Sequence, residues 1–307
     1  MTLQQLKYVV AVAECGSLSE AAGRLFVAQP SLSAAVKELE KETRTAIFQR
    51  TGRGMVVTPE GETFLGYARQ VLQQAELLEA RYISGETPRQ RFTVSTQHYT
   101  FTASAFVDLI REFGGDEYDF TLRETTTWGI IEDVKNLRSE LGVLYLSDFN
   151  RQVLEKLMRD SKLKFTGLFT VPPHVFLSRD NPLAKRERVT LEDLEDLPCL
   201  TFDQGEHSSF YFSEEILSTH SPKKRIRVTD RAAVINLLIG VGGYAISTGV
   251  FPAYLHGGDG IVAVPLEVNE RIQVGVVTHR DYLPTRLGEI YLAALRRIGA
   301  EAEAGTL

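Results

Sequence analysis

Cysteines, long apolar runs and export signals are scarce or missing in this chain of 307 residues. Its two cysteines, Cys15 and Cys199, lie far apart and form no CxxC motif, so the sequence supports neither a disulfide scaffold nor a cysteine zinc site. It contains no run of about 18 or more apolar residues, and its first residues lack the basic flank and apolar stretch of an export signal. We therefore expect a cytoplasmic protein with no membrane partner.

Motifs for catalysis and metal binding are also missing. The six histidines include no pair with the spacing of a metal site such as H-E-x-x-H, and no G-x-S-x-G nucleophile turn is present. The glycine-rich stretch from Gly240 to Ala245 follows a helical pattern and precedes a strand, the reverse of the order that a dinucleotide-binding loop requires. We therefore predict a protein that is not an enzyme and that carries no metal or cofactor.

The length of the chain exceeds that of one ordinary core, so two or three domains are expected. The net charge of −6 argues against a nucleic-acid partner only if the charge is evenly spread. Between Ala21 and Thr58 six cationic residues stand against three acidic ones, a local charge of +3. This segment is therefore a candidate basic surface in an acidic protein.

Three short helices are predicted near the start of the chain. Leu3, Leu6 and Val9 repeat at helical spacing, and Gly16 is suited to end that helix in a left-handed conformation. Ser17 opens an S-x-x-E pattern that begins a second helix. Pro30 is tolerated in the first turn of a third helix. The order is helix, tight turn and new helix.

The third helix has an apolar and a polar face. At about 100° per residue, its core-facing positions are Leu32, Ala35, Val36 and Leu39. The opposite ridge is small and polar at first and cationic further along, as a helix entering a DNA major groove requires. An ordinary solvated face would show the same pattern, so this helix alone leaves both interpretations open.

The segment after this helix favours the DNA-binding interpretation. Residues 47–50 and 55–57 form two short strand-like pieces around a glycine-containing turn, which predicts a hairpin with Arg50 and Arg53. These arginines are placed to reach phosphates beside the groove. Three helices followed by a basic hairpin form a more specific order than any one of these elements.

A long helix is predicted to follow, with Thr58 as its cap and Pro59 in its first turn. Its apolar residues have the spacing of a coiled-coil seam: Phe64, Ala68, Val71, Ala75, Leu78 and Tyr82. The seam could pack on the body of the same chain. Its position after a DNA-reading unit favours pairing with a second chain, which would place two reading units on two half-sites.

Over about its first 65 residues, from LQQLKYVVAVAECGSLSEAAGRLF to VVTPEGETFL, the chain resembles LysR-type transcriptional regulators without a gap. The resemblance implies an α/β protein with an N-terminal winged helix-turn-helix (1–58), a long dimerisation linker helix (59–88) and an effector-binding domain (89–307) similar to periplasmic binding proteins. The last domain would have two lobes, lobe 1 at about 89–165 and 266–307 and lobe 2 at about 166–265.

The resemblance also implies partners and DNA contacts. The partners are double-stranded promoter DNA, a small polar metabolite as effector, a second copy in a homodimer or homotetramer, and RNA polymerase. Ala34 and Ala35 stand where the family frequently has a basic or polar pair. The predicted DNA contacts are Gln29, Pro30, Ser31, Ser33, Lys37, Arg50 and Arg53.

Strand-like and helical segments alternate after residue 89, as in a mostly parallel α/β sheet. Ligands of such sheets bind beyond the carboxyl ends of strands, where helix N-termini present free amides. Each polar residue at such a point could instead be a helix cap, whereas several together indicate a polar ligand site. The predicted effector contacts are Ser95, Thr96, Gln97, His98, Thr125, Thr126, Thr127, Gln204, His207, Ser208, Asp230 and Thr248.

The stretches STQHY and ETTT are similar to those of one branch of LysR-type regulators, which implies control of sulfur or amino-acid metabolism. The alternative function is a small-molecule-binding α/β protein or enzyme with a helical appendage for interactions.

Overall fold

The computed structural model describes residues 1–52, 54–79, 82–83, 90–115, 117–251 and 260–304. The chain divides into two compact units, which are described separately: Met1–Gln90 with Asn136–Arg138, and Arg91–Lys135 with Ser139–Leu307. The elements of the N-terminal unit are α1 (Leu3–Cys15), α2 (Leu18–Arg24), α3 (Gln29–Thr43), β1 (Phe48–Thr51), β2 (Gly54–Val57) and α4 (Pro59–Glu79).

The first helices begin and end at local signals. Gly16 adopts a left-handed conformation with φ of 63°, and its amide donates to the carbonyl of Val12, as predicted for the end of α1. The Ser17 side chain accepts from the amide of Glu20 at the start of α2. A full capping box, which the sequence pattern did not reveal, lies instead at Thr2 and Gln5 before α1.

The core of the N-terminal unit is formed by all four helices and the base of the hairpin. In α3, the side chains of Leu32, Val36 and Leu39 are buried, while Ala35, predicted as a core residue, is half-buried. These residues join a cluster with members in α1, α2 and α4: Leu6, Val9, Val12, Ala21, Leu65, Ala68 and Leu72. A helix as short as α2 is marginal alone, so this packing stabilises it.

The hairpin of β1 and β2 is attached to two of the helices. The carboxylate of Glu40 in α3 accepts from the amides of Ile47 at 2.8 Å and Phe48 at 3.0 Å. On the other side, the amide of Met55 donates to the carbonyl of Gly16 at 2.9 Å. Gly54 has φ of 121°, and a Cβ there would lie 2.7 Å from the Gly16 oxygen, so only glycine allows this approach.

The long helix α4 carries two apolar surfaces. Leu65, Ala68 and Leu72 are buried in the N-terminal core. Val71 and Leu78 are 45% and 62% exposed, although both belong to the predicted seam. Phe64 and Ala68 of that seam pack inside the unit, so only its later residues form a free apolar surface.

The C-terminal unit contains two five-stranded sheets. Lobe 1 comprises the first sheet and the helices on it, and its strands have the order β4-β3-β5-β12-β6. Its elements are β3 (Gln90–Thr96), α5 (Thr100–Phe113), β4 (Tyr118–Glu124), α6 (Thr127–Lys135), β5 (Leu141–Leu146), α7 (Arg151–Asp160), β6 (Leu163–Val171), β12 (Ile272–His279) and α9 (Arg286–Glu303).

Lobe 2 comprises the second sheet, of order β11-β7-β10-β8-β9, with one α-helix and the irregular segments around it. Three 3₁₀ turns lie in those segments, at Pro182–Lys185, Gly205–His207 and Phe210–Phe212. Its other elements are β7 (His174–Ser178), β8 (Cys199–Phe202), β9 (Arg225–Val228), α8 (Arg231–Gly240), β10 (Tyr244–Ser247) and β11 (Ile261–Pro265).

The sheets are less parallel than the sequence predicts. β5 pairs in parallel with β3, and β8 in parallel with β9 and β10, but β12 is antiparallel to β5 and β6 and β7 is antiparallel to β10 and β11. The antiparallel strands are those that carry the chain between the lobes. The chain leaves the first sheet after Val171 and returns to it at Ile272, so the predicted boundary near residue 165 falls inside β6.

The central strand β5 shows why lobe 1 has helices on both faces. Its residues are buried throughout, because alternate side chains point to opposite faces. Leu141 and Val143 pack in the cluster that includes α5 and α9, and Leu144 and Leu146 pack in the cluster that includes α6 and α7. Among the described helices of either unit, none is long and apolar enough to span a membrane.

We expect Glu40→Ala to loosen the hairpin, because two amides lose their acceptor at a cost of about 1–3 kcal/mol. Hydrogen exchange at the Ile47 and Phe48 amides should accelerate on the order of tenfold to a hundredfold. Glu38→Ala, at an exposed position of the same helix, is the control and should leave these amides unchanged. Equal exchange rates in the two variants would contradict the assignment.

Candidate functional site

The exposed surface of α3 carries most of the predicted DNA contacts. Gln29, Pro30, Ser31 and Lys37 are exposed and Ser33 is half-buried. The helix begins after Ala28 without a side-chain cap, and a proline occupies its first turn. The side chain of Arg50 is exposed on β1, whereas Arg53 lies outside the described residues.

The turn before α3 exposes an aromatic residue that the sequence pattern did not single out. Phe26 is 96% exposed and has φ of 53°, a conformation that non-glycine residues rarely adopt. Its amide donates to the carbonyl of Gly23, so the conformation closes the turn between α2 and α3. Phe26 could have been recognised as a large apolar residue between two predicted helices, where the helical spacing of apolar residues is interrupted.

In lobe 1, Gln97 is the centre of a buried polar network. It follows β3 and is fully buried. Its amide nitrogen donates to the Thr127 hydroxyl at 2.6 Å. Its amide oxygen accepts from the Tyr99 hydroxyl at 2.9 Å and from the Tyr145 amide at 3.1 Å. Because both the oxygen and the nitrogen of this side chain have partners, its orientation is fixed.

Two side chains of lobe 2 extend this network across the gap between the lobes. The Gln204 oxygen accepts from the Thr127 amide at 3.0 Å, and its nitrogen donates to Glu214 at 3.0 Å. Glu214 also accepts from the His98 amide at 3.0 Å and contacts His98 Nδ1 at 2.9 Å. We call this chain of five residues the interlobe bridge: Gln97, Thr127, Gln204, Glu214 and His98.

Aromatic contacts lie on both sides of the bridge. The His98 ring stacks on Phe202 of lobe 2 with centroids 4.0 Å apart and planes 5° from parallel. Trp128 of lobe 1 stacks on His207 of lobe 2 at 4.1 Å. The side chains of His98 and Glu214 are 7% and 4% exposed, so little water reaches their contact, which strengthens it.

The surroundings of His98 and Glu215 favour the protonated form of both side chains. Burial opposes the charged form of His98, but the hydrogen bond and charge of Glu214 outweigh it and raise the pKa of His98 above its usual value. Burial, and then the charge of Glu214, raise the pKa of Glu215 to about 7. Nearby, Arg231 of lobe 2 pairs with Glu124 of lobe 1 at 3.0 Å.

Two cavities border the bridge. The interlobe cavity has about 60 Å³ and is lined by His98 and Thr100 of lobe 1 and by Phe202, Arg231 and Thr248 of lobe 2, among others. The lobe 2 cavity has about 530 Å³, and all its lining residues belong to lobe 2. The first is far smaller than the roughly 300–1,000 Å³ of ordinary ligand pockets, so a metabolite would enter it only if the lobes separate.

The structure brings together some of the predicted effector residues. Gln97, His98, Thr127 and Gln204 belong to the interlobe bridge, and buried Thr248 lines the interlobe cavity with His98. Ser208 is exposed and lines the lobe 2 cavity with Gln204. His207 is exposed and takes part through its stack on Trp128.

The other predicted effector residues make contacts within their own lobe. The Ser95 hydroxyl donates to Asp133 at 2.7 Å, and Thr96 contacts the Thr102 hydroxyl at 3.4 Å. Thr126 accepts from the Gly129 amide in the first turn of α6, and Asp230 caps α8. Thr125 is half-buried, and its amide donates to the carbonyl of Thr96.

Several residues of the site were not predicted. Glu214 and Arg231 make the charged contacts between the lobes, and Tyr99 and Phe202 complete the buried surroundings. One feature of the sequence could have indicated Glu214: two adjacent acids in FSEEI stand between the apolar residues Phe212 and Ile216. Apolar neighbours of this kind are more typical of a buried segment than of a surface one. Within the described residues, no group of three or more histidines, cysteines and acids is placed to hold a metal ion.

Two family models match the chain. Residues 3–62 match the model of the bacterial regulatory helix-turn-helix proteins of the lysR family. Residues 85–298 match the model of the LysR substrate binding domain. Together the two models cover both units.

Relatives match either nearly the whole chain or a shorter part of it. The regulator AlsR of Bacillus subtilis is 25% identical over 301 residues, which is 97% of this chain and 91% of AlsR. The regulator TfdT of Cupriavidus pinatubonensis is 44% identical over 72 residues, which is 24% of this chain and 32% of TfdT. The higher identity therefore belongs to a short stretch.

Solved structures share the fold. A full-length OxyR variant of Pseudomonas aeruginosa has a TM-score of 0.66 at 20% identity, covering 98% of this chain and 97% of its own. Full-length CbnR, crystallised in complex with its target DNA, has a TM-score of 0.56 at 18% identity, covering 97% and 100%. At these identities the likeness concerns architecture alone.

We expect the free energy of unfolding of the C-terminal unit to fall as the pH rises through about 7. The His98–Glu214 pair contributes fully below the unfolded histidine pKa of 6.5 and is lost as the pH rises through the higher folded value. Glu215 acts in the same direction, because its raised pKa makes ionisation unfavourable in the folded state. Urea titrations followed by fluorescence of Trp128, the single tryptophan, measure this fall.

His98→Gln should flatten the part of the pH profile above 6.5, leaving the contribution of Glu215. Glu214→Gln should flatten the profile further, because the charge of Glu214 also raises the pKa of Glu215. A wild-type profile that does not change between pH 6.5 and about 7 would contradict the raised pKa values of both His98 and Glu215.

Proposed function

Because the chain belongs to the LysR family, it is a transcriptional regulator that binds promoter DNA through its N-terminal unit and an effector through its C-terminal unit, and we propose how its residues divide this work. It is not an enzyme, since its relatives are named transcriptional regulators. We place its action in the cytoplasm, where bacterial promoter DNA is found.

The exposed ridge of α3 is the proposed DNA-reading surface. Small side chains at Ser31 and Ser33 allow close approach to base edges, and Lys37 reaches a phosphate. Arg50 contacts the backbone beside the groove, and Arg53 is assigned the same role from its sequence position. Phe26 adds an exposed ring next to the ridge, suited to the methyl group of a thymine.

The exposed part of the α4 seam is the proposed surface for pairing with a second copy. Val71, Leu78 and Tyr82 are 45%, 62% and 72% exposed, an arrangement that costs hydration free energy in an isolated chain. Pairing along this helix gives a homodimer with two copies of α3, and joining two such pairs gives a homotetramer. RNA polymerase is proposed as a further partner of the assembly on DNA.

The interlobe bridge carries the proposal for effector sensing. Opening the lobes exchanges each of these hydrogen bonds for a bond to water, at a net cost of about 0.5–1.5 kcal/mol for each bond. The bridge therefore favours the closed lobes, and a polar ligand that pairs with these groups better than water does favours the open ones. A small polar metabolite with donors and acceptors would bind Thr127, Gln204 and His98 in place of their contacts across the gap. The effector would thus shift the balance between closed and open lobes.

We assign the regulated pathway to sulfur or amino-acid metabolism on the similarity of the stretches STQHY and ETTT to one branch of the family. A screen of sulfur compounds and amino acids for those that raise the melting temperature of the protein would identify the effector.

We expect the protein to retard a fragment of its own upstream region, with an affinity that falls steeply as salt increases. Lys37→Gln should weaken binding at all sequences and reduce the slope of log affinity against log salt by about 0.9 for each phosphate that the protein no longer neutralises. Lys156→Gln, an exposed lysine of α7, is the matched control. An unchanged slope for Lys37→Gln, or equal affinity for unrelated DNA of the same length, would contradict this assignment of α3.

We expect Gln204→Ala to lower the affinity for an effector found in that screen by about tenfold or more, because alanine can make neither hydrogen bond of this side chain. Titration calorimetry measures the change, and operator affinity without effector should stay the same. Gln152→Ala, an exposed glutamine of α7 that lines neither cavity, is the control. Equal losses in both variants would place the effector outside the bridge.

A further inference from the structure

The lobe 2 cavity borders the interlobe bridge at Gln204 but lies within lobe 2, and the function described so far does not use its interior. It lies on the face of the second sheet opposite α8. Leu200, Ile226 and Val228 of β8 and β9 pack toward α8, so the alternate residues Thr201, Arg225 and Arg227 face the other way. These alternate residues line the cavity together with the segment 208–222.

The charges in the cavity favour an anion. Arg225 and Arg227 are exposed on the edge strand β9, and His220 lies among the same lining residues. Arg225 donates to the carbonyl of His220 at 2.8 Å. Arg227 has no ion-pair or hydrogen-bond partner in the described part of the chain, so its guanidinium is available to a ligand.

Glu215, an acidic residue of the cavity lining, opposes the binding of an anion only weakly. Glu215 is buried, and its carboxylate accepts from the Phe202 amide at 2.7 Å and the Ser213 hydroxyl at 2.8 Å. Burial, and then the charge of Glu214, raise the pKa of Glu215 to about 7, so near neutral pH a large fraction of this carboxyl group is uncharged. The two arginines therefore determine the sign of the site.

The remaining surface of the cavity indicates a ligand with an apolar body. Ile216 and Leu217 lie on its wall, and Phe210 is 60% exposed among the lining residues. Hydroxyl groups of Thr201 and Ser209 accompany them. A volume of about 530 Å³ falls within the roughly 300–1,000 Å³ typical of pockets for small organic molecules.

We propose that the lobe 2 cavity is a second ligand site, which binds a small organic anion through Arg227 and Arg225 and packs the apolar body of that anion against Phe210 and Ile216. The site lies within lobe 2, whereas the interlobe effector site lies between the lobes, and Phe202 and Glu215 line both cavities. A guanidinium pairs with a carboxylate through two parallel hydrogen bonds, which accounts for the selection of an anion over a cation of the same shape.

Three probes of graded chemistry test this site by titration calorimetry on the full chain. Benzoate has both the charge and an apolar ring, inorganic phosphate has the charge alone, and benzylamine has the ring with the opposite charge. Benzoate should bind more tightly than phosphate, and benzylamine should not bind. Arg227→Gln should weaken benzoate by about tenfold or more, because the variant cannot form a charge-assisted pair.

Arg188→Gln, an exposed arginine of lobe 2 outside the cavity, is the matched control and should bind benzoate as the wild type does. The proposal is overturned if benzoate binds the wild type more weakly than about 1 mM, if benzylamine binds equally well, or if the two variants behave alike. None of these measurements uses operator DNA or the interlobe effector, so they stand independently of the function proposed above.

Discussion

A buried hydrogen bond needs two partners, and for several bonds of the C-terminal unit each lobe supplies one. Glu214 of lobe 2 is nearly inaccessible to water, and its acceptor capacity is used by the amide and ring of His98 in lobe 1. Gln204 likewise needs the Thr127 amide. The closed arrangement of the lobes therefore depends on this bridge, since opening it exchanges several buried hydrogen bonds for bonds to water at a net cost.

The same constraint explains why the site is suited to control rather than to catalysis. An enzyme must keep reactive groups free to act on a substrate, whereas the groups of the interlobe bridge are all engaged with one another. A ligand that competes for these bonds changes the balance between two arrangements of the lobes, and it does so only by the difference in its affinity for the two. Glu215 and Phe202 line both cavities, so a ligand in the lobe 2 cavity would contact residues that adjoin the bridge.

Much of the fold was predictable because its signals are local. The left-handed turn at Gly16, the cap at Ser17 and the proline in the first turn of α3 are confirmed at their predicted positions. The strands β6 and β11 and the helix α7 were missed, and the sheets are less parallel than expected. Strand direction depends on the path of the chain between the lobes, which no short pattern records.

The sequence by itself determined the order of the N-terminal elements and the exposed ridge of α3, since these follow from periodicity, caps and turns acting over a few residues. The resemblance of about its first 65 residues indicated the family. The sequence also indicated Gln97, His98, Thr127 and Gln204 as polar residues at the ends of strands. Only the tertiary structure decided that they meet, and that Glu214 and Phe202 join them. The partners are 77 residues apart for Thr127 and Gln204 and 116 apart for His98 and Glu214, distances over which only the packing of the two sheets brings side chains together.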